Sequence, residues 1–241
     1  TKFGAFNVPL AILVGGLTSG LLGLLMGGMT LRLRGLYFSI ATLALSVVLH
    51  TIVVNWKFVG GSRGSYVVAS NEIVLFGLTM TNVRYLFLLM LALALFAVVV
   101  SRTVRRSGIG RGMTAIRDDE LAAESVGVPT MKIKLFATSL SGALMGMAGA
   151  PLPFYITYLE PNSAFNLSYG LNTIAMAMIG GVGTWWGPVI GAITIGAVQQ
   201  YATVMLPSAV GLLIVGLLLM AFVIFAPTGI AGLIAKTWRK K

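Results

Sequence analysis

The sequence predicts an all-α, polytopic helical membrane protein with about seven transmembrane helices. Of its 241 residues, 57% are hydrophobic and only 10% are charged, with a mean hydropathy of +0.95. Soluble domains carry about 25% charged residues. The charges are also segregated, which leaves charge-free runs at 3–31, 35–56, 85–101, 135–159 and 161–235. Because a helix crosses the hydrocarbon in about 20 apolar residues, the last run has room for about three spans.

The same composition excludes several other classes of protein. Disorder requires low hydrophobicity, and the absence of cysteine excludes disulfides and thiolate metal sites. A net charge of +11 first suggests a nucleic-acid partner. However, 13 of the 17 Lys and Arg residues fall in segments that would lie on one side of a membrane. That asymmetry accounts for the charge, so no nucleic-acid partner is expected.

Cytoplasmic loops are enriched in Lys and Arg, so the cation-rich segment 102–134 orients the chain. Working outward from it, we predict spans at 5–29, 35–56, 85–101, 135–156, 167–179 with its flanks, 185–206 and 209–226. The four cations within 236–241 then lie in the cytoplasm, as do Arg32 and Arg34. The apolar piece at 73–83 is too short to span and is interpreted as interfacial or re-entrant. We therefore expect a multi-pass protein with a cytoplasmic C-terminus.

Glycines recur at four-residue spacing within the predicted spans. Small residues at that spacing let helix backbones approach closely in lipid, where hydrophobicity cannot drive helix association. We therefore predict close helix contacts at these glycines: Gly16, Gly20, Gly23, Gly27, Gly142, Gly146, Gly183, Gly187 and Gly191.

The cytoplasmic segment contains a predicted short helix at 113–125. Met113, Ile116, Glu120 and Ala123 share one face through three- and four-residue steps. Gly127 suits a left-handed C-terminal cap, and the proline at 129 stops any continuation. Such a helix is suited to docking on a soluble partner, and the alternative is a solvated loop.

The string GMTAIRDDELAAESVG at 112–127 resembles the "EAA…G" loop of ABC importer permeases, in the form found in the branched-chain amino-acid permease family of the LivM type. In that family this loop engages the ATPase subunits. The resemblance implies a cytoplasmic coupling helix whose ATPase-coupling residues are Arg117, Asp118, Asp119, Glu120, Ala122, Ala123 and Gly127.

Three further stretches resemble the same family: LRLRGLYFSIATLA at 31–44, GGVGTWWGPVIGA at 180–192 and FAPTGIAG at 225–232. The four matches follow the family's order and cover nearly the whole chain. They imply one permease domain over 1–241, with its coupling loop at 102–134. The implied partners are ABC ATPase subunits, a second permease subunit, an external substrate-binding protein and membrane lipid. The family's N-terminal spans have no counterpart here, and we expect that upstream helices are missing from this sequence.

No enzymatic activity is expected of the chain itself. It contains no Gly-Lys-Ser or Gly-Lys-Thr sequence of a phosphate-binding P-loop, so a partner must hydrolyse any ATP. The single histidine, His50, lies near the outer end of a predicted span with no carboxylate near it in sequence, and is interpreted as a packed or interfacial residue rather than a ligand or proton carrier. We therefore expect no catalytic residue, no metal site and no cofactor.

No charged residue lies inside a predicted span, which suits a solute without net charge. The resemblance implies branched-chain amino acids carried across a bacterial-type inner membrane. Urea, amides or a sugar stay open as substrates, and a secondary transporter is the alternative from another class. The candidate residues along the substrate pathway are polar and lie within spans: Thr42, Ser46, Thr51, Asn55, Asn172 and Gln199, with Thr173 and Gln200 beside them.

Overall fold

The structure is a computed structural model that describes residues 7–31, 33, 35–67, 72–75, 78–205 and 232. Its α-helices are α1 (Asn7–Thr30), α2 (Leu36–Asn55), α3 (Asn82–Arg106), α4 (Gly108–Asp118), α5 (Glu120–Ser125), α6 (Thr130–Gly149), α7 (Leu152–Ile156), α8 (Pro161–Ala164), α9 (Leu167–Gly180) and α10 (Gly187–Met205). Short 3₁₀ turns occupy Lys57–Val59 and Gly61–Arg63. The helical class predicted from the sequence is confirmed.

Within the described residues, four helical segments are long and apolar enough to cross a membrane: Val8–Thr30, Leu36–Asn55, Asn82–Arg106 and Thr130–Ile156. They match the first, second, third and fourth predicted spans. The next two predicted spans are also helical, but α9 has only 14 residues, fewer than the roughly 20 that a span needs. The last predicted span, the turn before it and the C-terminal cations lie outside the described residues. The total of seven spans therefore stays a prediction.

The segment between α2 and α3 contains extended structure after its two 3₁₀ turns. Strand β1 (Ser65–Tyr66) pairs antiparallel with β4 (Tyr158–Leu159). Strands β2 (Glu72–Leu75) and β3 (Leu78–Thr81) form an antiparallel hairpin. The apolar piece predicted as interfacial or re-entrant thus lies largely in this hairpin, in which the β-branched Ile73 and Val74 favour extended backbone.

The contacts divide the chain into two compact units, Thr1–Phe165 and Asn166–Lys241. In the first unit, α1 and α6 pack along their lengths, as the glycine spacing predicts. A Cβ built on Gly23 would lie 2.8 Å from the carbonyl oxygen of Thr138, and one on Gly142 would lie 2.8 Å from that of Ser19. The backbones are therefore too close for larger side chains. The hydroxyl of Ser139 also donates a 3.0 Å hydrogen bond to the carbonyl of Gly20 on the other helix.

A small apolar core lies where α1, α3 and α7 meet in the first unit. It contains the buried side chains Val8, Ile12, Tyr85, Leu86 and Phe154. The side-chain amide of Asn82, the first residue of α3, donates a 3.3 Å hydrogen bond to the backbone carbonyl of Phe154. This contact holds the beginning of α3 against α7.

The second unit contains the helix pair α9 and α10, with Ala175, Ile179 and Ile195 in its buried core. A Cβ built on Gly187 would overlap the carbonyl oxygen of Gly181, and one on Gly191 would overlap that of Met176. The predicted close contacts are confirmed at these two glycines. Gly183 is different, because a Cβ there would meet no atom within 4 Å. The contact predicted at Gly183 is therefore wrong, since this residue lies in the open turn between the two helices.

Candidate functional site

The candidate coupling segment contains two helices where the sequence predicts one over 113–125. The break falls at Asp119, whose backbone is extended at φ −157° and ψ 116°. Its carboxylate oxygen Oδ1 accepts hydrogen bonds from the backbone N–H groups of Leu121 at 2.9 Å and Ala122 at 3.0 Å. Aspartate is a preferred N-cap because it pairs amides that a helix start leaves unpaired. The capping of α5 by Asp119 thus ends α4 and corrects the single-helix prediction.

A second cap, formed by Ser107, lies where the span α3 turns into α4. The Ser107 hydroxyl oxygen accepts a 3.3 Å hydrogen bond from the backbone N–H of Gly110. A Cβ on Gly110 would overlap the carbonyl oxygen of Val104, so only glycine lets the backbone turn this tightly. The cap and the glycine together connect the loop directly to the end of a span.

The end of α5 has the cap that the sequence predicts. Gly127 is left-handed at φ +84°, and its N–H donates to the carbonyl of Glu124 at 3.0 Å. The N–H of Val128 donates to the carbonyl of Ala123, also at 3.0 Å. These two bonds form a Schellman motif, which pairs the last carbonyls of a helix. The prediction at Gly127 is confirmed, and the motif redirects the chain toward α6.

An ion pair links α5 to the first part of α6. The Nζ atom of Lys134 lies 2.6 Å from Oε1 of Glu120, and their side chains are only 25% and 34% exposed. Two other charged candidates form a pair of sequence neighbours, in which Arg117 donates to Oδ1 of Asp118 at 2.9 Å. Both members of that local pair are mainly exposed, so it contributes little to stability.

The two candidate alanines face opposite environments. Ala123 is buried, with 3% of its surface exposed, whereas Ala122 is exposed. The sequence alone suggests that Ala123 seats against a partner, but the structure places it inside the chain. Near Ala122, the apolar side chains of Leu121 and Val126 are also exposed, at 61% and 80%. We call these three residues the α5 surface.

Three candidate pathway residues of α2 bond to their own helix: Thr42, Thr51 and Asn55. The hydroxyl of Thr42 donates to the carbonyl of Ser39 at 2.9 Å, and the side-chain amide of Asn55 donates to the carbonyl of Thr51 at 2.8 Å. Thr51 and Ser46 are exposed, and α2 buries none of its residues. Every residue of α2 thus remains at least partly exposed in the part of the chain that the structure describes.

The candidates in the second unit are brought together. The side-chain amide of Gln199 on α10 donates a 3.1 Å hydrogen bond to Oδ1 of Asn172 on α9. Thr173 donates to the carbonyl of Tyr169 on its own helix at 2.8 Å, and Gln200 is exposed. The Asn172–Gln199 pair therefore acts at least as a polar contact between two helices.

His50 is packed, as the sequence suggests. Its Nε2 lies 3.1 Å from Oδ1 of Asn162, and its ring meets that of Phe165 edge-on with centroids 5.3 Å apart. Within the described residues, no group of three or more His, Asp or Glu side chains could hold a metal ion.

Sequence reasoning did not single out Lys134 or the exposed Leu121 and Val126. No local sequence pattern pairs Lys134 with Glu120, because the two residues are 14 positions apart and belong to different helices. The helical period predicts a face of Met113, Ile116, Glu120 and Ala123, and the structure covers that face, whereas the α5 surface lies on the exposed side.

Comparison with known proteins gives one family match. The family described as "Branched-chain amino acid transport system / permease component" matches residues 1–223. The chain is 27% identical over 213 residues to the probable branched-chain amino acid transport permease protein LivH of Methanocaldococcus jannaschii, covering 83% of this chain and 64% of that protein. It is 30% identical over 112 residues to the high-affinity branched-chain amino acid transport system permease protein LivM of Escherichia coli, covering 46% and 26%.

A sugar permease also matches. The chain is 28% identical over 133 residues to the L-arabinose ABC transporter permease protein AraH of Azospirillum brasilense, covering 53% of this chain and 39% of that protein. No solved structure gives a significant match. The chain spans less than two thirds of the length of each of these three relatives.

Proposed function

The chain belongs to the branched-chain amino acid transport permease family, and from that membership we propose that it is the permease subunit of an ABC importer. In this proposal the importer moves branched-chain, hydrophobic zwitterionic amino acids, and partner subunits hydrolyse the ATP. The observation that carries the proposal is the family match over residues 1–223. The matches to LivH and LivM support the choice of substrate.

The charge distribution agrees with this substrate. Along residues 8–30 and 36–55, two of the candidate spans, no Asp, Glu, Lys or Arg occurs. Charged groups within a membrane are expensive and are kept where a transported ion or proton requires them. A zwitterion has no net charge to compensate, so hydroxyl and amide groups such as those of Thr42 and Asn172 suffice as contacts.

We propose that the ATPase docks on the cytoplasmic loop at 102–134 through the α5 surface. The apolar side chains of Leu121 and Val126 are exposed there, on a helix with both ends capped. Exposed apolar side chains on a rigid, capped helix are suited to a hydrophobic groove of a partner. The proposed ATPase-coupling residues divide accordingly: Ala122 contacts the partner, while Asp119, Ala123 and Gly127 maintain the shape of α5.

The remaining assignments belong to the same proposal. The chain forms a single permease domain that pairs with a second permease subunit, and an external binding protein delivers the substrate. The membrane is a bacterial-type inner membrane with the C-terminus in the cytoplasm, as the distribution of Lys and Arg favours.

Uptake by the reconstituted complex tests the proposal. Proteoliposomes holding this permease with its partner permease, ATPase subunits and binding protein should accumulate radiolabelled leucine only when ATP reaches the ATPase. Unlabelled isoleucine and valine should compete, and urea should not. ATP-independent accumulation driven by an ion gradient would instead establish the secondary transporter.

The match to AraH makes a sugar the second candidate substrate. The same proteoliposomes distinguish the two classes when L-arabinose is added in excess over labelled leucine. Competition by L-arabinose, together with uptake of labelled L-arabinose, would replace the amino acid as the proposed substrate. Unchanged leucine uptake is the expected result.

A further inference from the structure

The ion pair between Glu120 and Lys134 is a direct polar link between α5 and the span α6. Its atoms lie 2.6 Å apart, and both side chains are largely covered. Water and salt weaken the attraction between exposed charges, but they weaken that between covered charges much less. The pair is therefore suited to hold two elements in a fixed relation.

Some contacts of α5 stabilise its helical conformation, and others link it to α6. The cap at Asp119 and the Schellman motif at Gly127 lie within or beside the six residues of α5. A helix this short is unstable alone, so these contacts maintain its shape. All of these contacts precede α6, which begins after the four-residue connection 126–129. Lys134 lies one turn inside α6 and reaches back across this connection.

Beyond Lys134, α6 is joined closely to α1. Ser139 donates its hydrogen bond to the carbonyl of Gly20, and the close backbone approach continues at Gly142 and Gly146. Interfaces packed this closely shift as units rather than deforming continuously. A displacement that reaches Lys134 is thus passed to two spans together.

We propose that Lys134 is a positioning residue: through its ion pair with Glu120 it keeps α5 in register with α6, so that movement of α5 becomes movement of the α1–α6 pair. This inference rests on the proposed function in one respect, because it takes α5 as the element that meets the ATPase.

Hydrogen exchange in the assembled complex tests the ion pair without any transport. In Lys134→Met the backbone amides of residues 121–128 should exchange several-fold faster than in the wild type, because α5 loses its link to α6. Lys132→Met is the matched control, since it removes the same charge from an exposed position of the same helix. Its exchange pattern over residues 121–128 should match that of the wild type.

The transport measurement is the number of leucine molecules taken up per ATP hydrolysed. Lys134→Met and Glu120→Gln should each lower this ratio by at least about fivefold, the lower range of typical coupling between sites, with the ATPase still co-purifying. The double variant Glu120→Lys with Lys134→Glu restores opposite charges and should recover at least half of the wild-type ratio. Lys132→Met should leave the ratio unchanged.

An exchange result or a transport result would overturn the inference. One is Lys134→Met with wild-type exchange over residues 121–128. The other is faster exchange with an unchanged ratio, or a lowered ratio that the charge swap does not recover. If the wild-type complex takes up no leucine, the proposed function fails, and the exchange measurement still decides whether Lys134 positions α5.

Discussion

At the scale of single residues, Gly127 has a geometry that few other residues can adopt. Its φ of +84° lies in the left-handed region, and a Cβ there would meet no atom within 4 Å. Any penalty for a side chain is therefore conformational rather than steric. Asparagine visits this region more readily than other residues with a Cβ, whereas a β-branched residue resists it.

We predict that Gly127→Val destabilises the end of α5 by about 1–2 kcal/mol and that Gly127→Asn does not. The measurement is leucine-stimulated ATP hydrolysis by the reconstituted complex. It should fall in the valine variant, while the amount of permease in the membrane stays normal. Equal activity of the two variants would show that the left-handed conformation is not needed.

The two alanines of α5 give a matched pair of substitutions. Ala122→Trp adds bulk to the α5 surface, so we expect loss of ATPase co-purification with unchanged hydrogen exchange inside the loop. Ala123→Trp must enlarge a buried site, for which overpacking typically costs about 1–3 kcal/mol. It should therefore raise exchange throughout residues 120–128. Retention of the ATPase by Ala122→Trp would argue against docking at this surface.

At the scale of elements, the close approach of α1 and α6 makes a position-specific prediction. Gly23→Leu should overpack the interface, because a Cβ there would lie 2.8 Å from the carbonyl oxygen of Thr138. The expected loss of stability is about 1–3 kcal/mol, measured as a lowered thermal midpoint of the purified permease. Gly28→Leu on the same helix is the control, since its Cβ would meet nothing within 4 Å. A similar midpoint for both variants would contradict the packing described.

The second unit offers the same comparison on α10. Gly187→Leu places a side chain where the carbonyl oxygen of Gly181 already lies, and we expect a reduced yield of assembled complex. Gly196→Leu, at a position with open space, should assemble normally. The yield of complex after affinity purification, relative to the total permease in the membrane, is the measurement. Normal assembly of Gly187→Leu would show that the turn between α9 and α10 adapts.

The sequence predicts some elements well and others poorly for physical reasons. Spans such as Leu36–Asn55 are predictable because the bilayer demands apolar residues along their whole length. The left-handed Gly127 is predictable because few residues compete for that conformation. The break at Asp119 is not, because it depends on one capping side chain overriding a continuous helical pattern. The ion-pair partner of Glu120 depends on how the connection at 126–129 folds, and no short sequence pattern predicts the conformation of that connection.

At the scale of the whole molecule, the orientation in the membrane is a direct prediction of the charge distribution. The cytoplasmic side should carry the α5 surface, and the opposite side should carry the exposed Ser62. Because the chain has no cysteine, Val126→Cys and Ser62→Cys each introduce a single labelling site. The label is an impermeant maleimide.

In intact cells, Ser62→Cys should react with the maleimide from outside, and Val126→Cys should react only after the membrane is opened. Bound ATPase should then protect Val126→Cys, which links the topology to the docking surface. Reaction of both sites from outside would refute the orientation. Ser107 is a poorer labelling site, because its hydroxyl caps α4.

The pairing of α1 with α6 also bears on how the chain is made. The two helices pack closely between Gly15 and Gly27 of α1, yet roughly 100 residues separate them. At ribosomal speeds of about 5–20 residues per second, α1 therefore waits some 5–20 seconds for its partner. Throughout that interval its glycine-lined face meets lipid or another protein instead of Ser139 and Gly142. Those contacts must be released when α6 emerges, so biogenesis of this permease depends on a delayed encounter.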